Sequence, residues 1–184
     1  MSTHADRRVT AAFTAVTTLF FAWGFITALI DPLVAAVKGI FTLSDVEAQL
    51  SASAFFIAYG LISFPAATLI ARLRPVPSIH LALAIMAGAC LIMLGAANLA
   101  NYSLVLVGLF GLASGITILQ VAANPLAAAL GNPQGSHFRL TLSQTFNSFG
   151  TFIAPVIGAG LFLKGVEAKH EGAITEAVRT EALA

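Results

Sequence analysis

Charge is scarce in this sequence: eight acidic and nine basic side chains among 184 residues, 9% in all. A soluble domain of ordinary composition carries about 25% charged residues, because charged groups must cover its surface. This chain cannot cover such a surface, which excludes a soluble globular fold. The net charge of +1 gathers into no basic face, so nucleic acid is not an expected partner. The single cysteine, Cys90, lies inside an apolar run, which excludes a disulfide framework and a cysteine metal site. His4, His80, His137 and His170 are scattered without ligand spacing, so no metal is expected. There is no Ser/His/Asp arrangement, no His-Glu-x-x-His, no glycine-rich phosphate loop and no pair of carboxylates. Neither a catalytic set nor a cofactor site is present in the pattern, and the chain does not read as an enzyme.

What is abundant is apolar: 58% of the residues are hydrophobic. A helix that crosses the hydrocarbon core of a bilayer needs roughly 20 largely uncharged residues. Five stretches meet that need, at about 11–37, 50–71, 79–99, 104–130 and 140–163. The first follows Arg7 and Arg8, as a signal peptide would, but it far exceeds the apolar core of about 7–15 residues found there. It also contains Trp23, Asp31 and Pro32, and reads as a retained helix. The fold class expected is therefore an all-α membrane bundle of five transmembrane helices over 11–163, in contact with lipid.

The basic residues of the flanks orient it. Arg7, Arg8, Arg72, Arg74 and Arg139 fall on one side, and Lys38 alone on the other, beside Asp45 and Glu47. The positive-inside rule then puts residues 1–10 in the cytoplasm. Five crossings leave 164–184 outside, an Ala/Glu-rich tail too polar to span, which is expected to lead to a missing sixth helix.

Polar residues inside the spans are few. Asp31 is the only carboxylate in any of them. On insertion scales such a group costs about 2.5–3.5 kcal/mol, so it is expected to face the bundle or a water-filled cavity, where it can take up and release a proton. The other reading is that it caps a helix break made by Pro32. Trp23, Thr27 and Asp31 follow at i+4 spacing and share one helix face. Gln120 and Asn124 are also i, i+4, while Gln144 and Asn147 are i, i+3 with Thr151 one turn on. Asn124 lies six residues before Leu130 and Asn147 seven after Leu140. At about 1.5 Å per residue, two antiparallel helices joined by a short loop carry them at nearly one depth. Four amides then converge on one cavity, able to donate and accept hydrogen bonds as a neutral polyhydroxylated ligand requires. The competing reading is interhelical bonding, worth about 0.6 kcal/mol per amide in a membrane.

Pro32, Pro65, Pro125 and Pro155 fall inside spans, where each is expected to kink its helix. Gly108, Gly111 and Gly115 read as a close-packing surface. Tyr59 and Ser63 either reach the cavity or only pack.

Three segments, "FFAWGFITALIDPLV" (20–34), "LQVAANPLAAALG" (119–131) and "RLTLSQTFNSFGTFIAP" (139–155), together resemble the fucose/glucose–galactose:proton symporter family of the major facilitator superfamily. The resemblance covers nearly the whole chain. It implies most of one six-helix half of a twelve-helix transporter, with sugar bound between the two halves and the C-terminal half missing here. It implies Asp31 in proton coupling, Asn124, Gln144 and Asn147 beside the sugar, and at Gln120 the glutamine of the glucose/galactose branch where fucose transporters have glutamate. Two positions depart: Ile30 stands where the family usually has asparagine, and "ARLRPVPS" (71–78) puts Ala71 in place of an acid between the second and third helices. The expectation is a sugar permease, hexose:proton symport in a plasma membrane or bacterial inner membrane. The rivals are a uniporter, a sodium-coupled carrier, and a membrane scaffold whose amides only join helices.

Overall fold

The computed structural model describes residues 4–163. It is all-helical: α1 (His4–Ala28), α2 (Ile30–Phe41), α3 (Asp45–Leu73), α4 (Pro75–Asn98), α5 (Tyr102–Ala129) and α6 (Ser136–Gly158), the last continued by a π-helical turn, Ala159–Leu163. The expected outer tail, 164–184, lies outside the described residues.

Local chemistry sets the helix ends. Ser44 Oγ accepts from the Glu47 amide at 3.3 Å, and the Glu47 carboxylate accepts from the Ser44 amide at 2.9 Å, a capping box that starts α3. Asn101 Oδ1 accepts from the Leu104 amide at 3.2 Å and starts α5. Pro75 occupies the first turn of α4, where its missing N–H has no partner to lose. Arg74, with φ of 66°, is the only residue between α3 and α4.

The first expected span, 11–37, is not one helix but two. The chain turns at Leu29, and α2 starts at Ile30. The cause is Pro32, whose ring cannot pack under the carbonyl of Ala28 and whose nitrogen donates nothing. The break therefore falls three residues before the proline, which itself sits comfortably in the first turn of α2. By contrast α3 and α5 run on past Pro65 and Pro125, and α6 passes Pro155 before it loosens into the π-helical turn.

Taken with α2, α1 is long and apolar enough to cross a membrane over Arg7–Phe41, as are Asp45–Leu73, Pro75–Asn98 and Tyr102–Ala129. The fifth expected span corresponds to α6. At 23 residues it reaches about 35 Å, enough to cross, but its Ser, Thr, Gln and Asn side chains keep it from qualifying by composition. Several of those groups are committed to other helices. Ser143 Oγ lies 3.3 Å from Thr17 Oγ1, and Thr151 Oγ1 shares its proton between the Asn147 carbonyl of its own helix at 3.1 Å and the Gly24 carbonyl of α1 at 3.4 Å.

At the centre of the bundle is α5, buried along Leu112–Leu119 without interruption. It packs most extensively on α4 and then on α3. Small residues permit the first contact. A side chain at Gly115 would meet the Ala82 carbonyl at 2.9 Å, one at Gly111 would meet the Ala89 methyl at 3.3 Å, and one at Gly108 would strike Met93. The expectation of close packing at these glycines is borne out. The fourth and fifth spans, however, do not lie flush: α6 packs chiefly on α1 and touches α5 only lightly. Gly150 explains the preference. A Cβ there would run into the Phe21 carbonyl and lie 2.9 Å from the Phe25 amide, so backbone meets backbone. The outer surface keeps Phe56, Leu61, Phe64, Leu91, Leu94 and Phe152 exposed, as a lipid-facing surface requires.

Candidate ligand-binding cavity

A polar cleft of about 200 Å³ lies where α1, α5 and α6 meet, lined by Trp23, Gly24, Thr27, Gln120, Asn124, Gln144, Asn147 and Thr151. All six residues expected to bind substrate, Trp23, Thr27, Gln120, Asn124, Gln144 and Asn147, are thus brought together. The light α5–α6 contact is sufficient because Gln144 Nε2 reaches Asn124 Oδ1 at 3.3 Å. Asn147 Nδ2 donates to the Phe20 carbonyl at 3.0 Å, tying α6 to α1 behind the cleft. Gln120 Nε2 donates to Tyr59 Oη at 3.2 Å. The indole of Trp23 is buried against Phe20, with ring centroids 4.1 Å apart, and forms the apolar floor.

Each amide therefore uses one atom on the protein and keeps others. The Oε1 of Gln120, the Oε1 of Gln144, the Nδ2 hydrogens of Asn124 and the Oδ1 of Asn147 remain for a ligand, with the hydroxyl of Thr27 beside them. Among the described residues none of the lining side chains is charged. Such a set suits a small neutral molecule carrying several hydroxyl groups.

Asp31 is not in this set. It is exposed, in the first turn of α2 just past the turn at Leu29, and does not line the cleft. Leu29 keeps a helical backbone (φ −74°, ψ −13°), and Asp31 follows one turn after Thr27, but the cleft lining on this helix ends at Thr27. The carboxylate sits instead at the positive end of the α2 dipole, a favourable place for a negative charge. Two lining residues, Gly24 and Thr151, were not among the expected binders. Thr151 carried a signal, one turn past Asn147. Gly24 carried little, since its role is absence: a Cβ there would strike Asn147.

Arg139, at the head of the third motif, also has no part in the cleft. It donates from Nη2 to the Ala128 carbonyl at 2.6 Å, from Nε to Ala127 at 3.3 Å and from Nη1 to Asn132 at 2.9 Å, capping the negative end of α5.

No family model matches the chain. Over 177 residues it is 43% identical to the glucose/galactose transporter of Brucella abortus biovar 1 (strain 9-941), which covers 96% of this chain and 43% of that protein. It is 41% identical over 154 residues to the L-fucose-proton symporter of Escherichia coli (strain K12), covering 84% of this chain and 35% of the relative. The fold matches the crystal structure of the Escherichia coli fucose:proton symporter with a TM-score of 0.70 at 37% identity, over 85% of this chain and 37% of that one. It matches a major facilitator superfamily transporter crystallised in the outward conformation equally well, TM-score 0.70 at 41% identity, over 83% and 37%. The chain thus spans about two fifths of the length of these relatives, which are multi-pass membrane transporters.

Proposed function

We propose that this chain, which belongs to the fucose/glucose–galactose:proton symporter family of the major facilitator superfamily, is the N-terminal bundle of a hexose:proton symporter and contributes one wall of its sugar site. The carrying observation is the cleft itself: four amides, a threonine and an indole from three helices, uncharged and each with an unspent hydrogen-bonding atom. A hexose offers the complementary surface, hydroxyls around an apolar ring face that can lie on Trp23. At about 200 Å³ the cleft is smaller than the roughly 300–1,000 Å³ of complete ligand pockets, in keeping with a site whose facing wall belongs to the rest of the transporter. Gln120, where the fucose branch has glutamate, favours glucose or galactose as substrate.

Asp31 is the proton carrier in this reading. It is the sole carboxylate within the apolar stretches 11–37, 50–71, 79–99, 104–130 and 140–163, and it lies one turn beyond Thr27, past Leu29. Protonation there removes a charge from the start of α2, and sugar in the cleft biases the same two-part helix from the other side of the break. The N-terminus is cytoplasmic and the protein resides in the plasma membrane, the bacterial inner membrane, with Arg7, Arg8, Arg72, Arg74 and Arg139 on the inner face.

The test is sugar-induced proton uptake by vesicles holding the protein expressed from its complete reading frame. Glucose or galactose should alkalinise the medium, and Asp31→Asn should abolish this while leaving sugar counterflow. Counterflow without any pH change in the wild type would leave a uniporter or a sodium-coupled carrier. No sugar movement at all would sink the transport reading.

A further inference from the structure

Tyr59 comes from α3 and is not part of the cleft lining, yet its hydroxyl lies between two side chains that are. Gln120 Nε2 donates to Tyr59 Oη at 3.2 Å, and the same oxygen lies 3.5 Å from Thr27 Oγ1. A carboxamide nitrogen can only donate, so the phenol accepts from Gln120. Either hydroxyl could donate in the contact with Thr27; we assign the phenol proton to it, because among the described residues Thr27 Oγ1 is the side-chain acceptor the Tyr59 hydroxyl meets. The ring is held in place against Phe55, with centroids 5.5 Å apart. The neighbouring hydroxyl of Ser63 bonds to the backbone carbonyl of Tyr59 and makes no claim on the phenol. Two consequences follow for the cleft. The Gln120 amide is held nitrogen-backward, so its Oε1 is the atom left for a ligand. Thr27, already accepting from the phenol, keeps its own proton to give.

We propose that Tyr59 is a positioning residue that sets the hydrogen-bond polarity of the cleft, making Gln120 an acceptor and Thr27 a donor, so that the site selects a sugar hydroxyl able to donate to Gln120. This rests on the sugar-binding reading above. It adds a specificity element from a helix that contributes nothing to the lining.

The test is competition for glucose and galactose uptake by their monodeoxyfluoro analogues, in vesicles holding the protein from its complete reading frame. Fluorine replaces the hydroxyl in size but has no proton to donate. In the wild type one ring position should show a penalty of about tenfold, the worth of one good hydrogen bond. Gln120→Ala should erase the penalty at that position and so identify it. Tyr59→Phe keeps the ring and frees the amide to rotate. It should narrow the penalty there to within about threefold while leaving the other positions unchanged. Thr27→Val is an independent second variant: the phenol, deprived of its acceptor, turns its proton to Gln120 Oε1 and presents the amide nitrogen to the sugar, so the same penalty should narrow. Uniform weakening of every sugar by Tyr59→Phe, or a fluorine profile unchanged in both variants, would overturn the polarity role and leave sugar transport standing. A wild type that takes up neither hexose overturns the sugar reading and this inference together.

Discussion

Asn147 on α6 donates its side-chain nitrogen to the main-chain carbonyl of Phe20 on α1 at 3.0 Å. That carbonyl lies inside a helix and already serves its own ladder, so the amide takes its second lone pair. The side chain that faces the cleft also joins the two helices that carry its walls. The geometry leaves room for interhelical bonding and ligand binding at once: Asn147 spends a hydrogen on α1 and keeps its side-chain carbonyl open to the cleft.

The close approach of α1 and α6 should be sensitive to a single methyl group. Gly24→Ala places a Cβ against Asn147, and Gly150→Ala places one against the Phe21 carbonyl. Each should cost about 1–3 kcal/mol as overpacking and lower the melting temperature of the detergent-solubilised protein. Gly60→Ala on α3, with nothing within 4 Å, is the control and should not lower it, since alanine favours the helix over glycine by up to about 1 kcal/mol.

Gln144 and Asn124 share a hydrogen bond across the cleft, so their effects on sugar affinity should not multiply. Each change to alanine should raise KM for the transported hexose about fivefold to tenfold. The double variant should fall short of the product, by a coupling of at least about 0.5 kcal/mol. Independent, fully multiplicative effects in uptake kinetics would mean that the two amides contact the sugar without supporting each other.

Arg139 should separate stability from binding. Arg139→Gln removes guanidinium bonds to the Ala127, Ala128 and Asn132 carbonyls, and should destabilise the protein by about 1.5–3 kcal/mol. Lysine, a single compact ammonium, cannot reach all three and should recover only part of the loss. Thermal unfolding should show both effects while KM for the sugar stays within about twofold of wild type, because the residue lies outside the cleft.

Pro32 should act through the turn at Leu29. With Pro32→Ala the backbone regains a donor and loses the clash with Ala28, so α1 can run on into α2. The expected result is a protein at least as stable but slower, with the maximal uptake rate reduced and sugar affinity retained in equilibrium binding. An unaltered rate would remove the break from the transport cycle.

Much of this molecule was legible before any tertiary structure. Scarce charge and long apolar runs dictate helices in lipid, because a backbone without water must satisfy every N–H and C=O within its own segment. That demand is local, and residues such as Ser44, Glu47, Asn101 and Pro75 meet it at recognisable positions. The polar side chains Gln120, Asn124, Gln144 and Asn147 were equally visible, since an amide in an apolar run stands out by itself.

Which surfaces meet was decided only in three dimensions. The pairing of α6 with α1 rather than α5 depends on Gly24 and Gly150 fitting against particular backbone atoms. Apolar helix surfaces of similar composition cannot be told apart for fit along the chain. The placement of Asp31 outside the cleft depends on how deep the α5 and α6 amides lie: the lining on the first helix ends at Thr27, one turn before the carboxylate. The link from Gln120 through Tyr59 to Thr27 joins residues 61 and 32 positions apart, and only packing brings them within hydrogen-bond reach. Sequence determined what each helix must be in a bilayer, because solvation acts residue by residue. Tertiary structure decided which atoms face one another, because van der Waals fit between helices is a property of pairs.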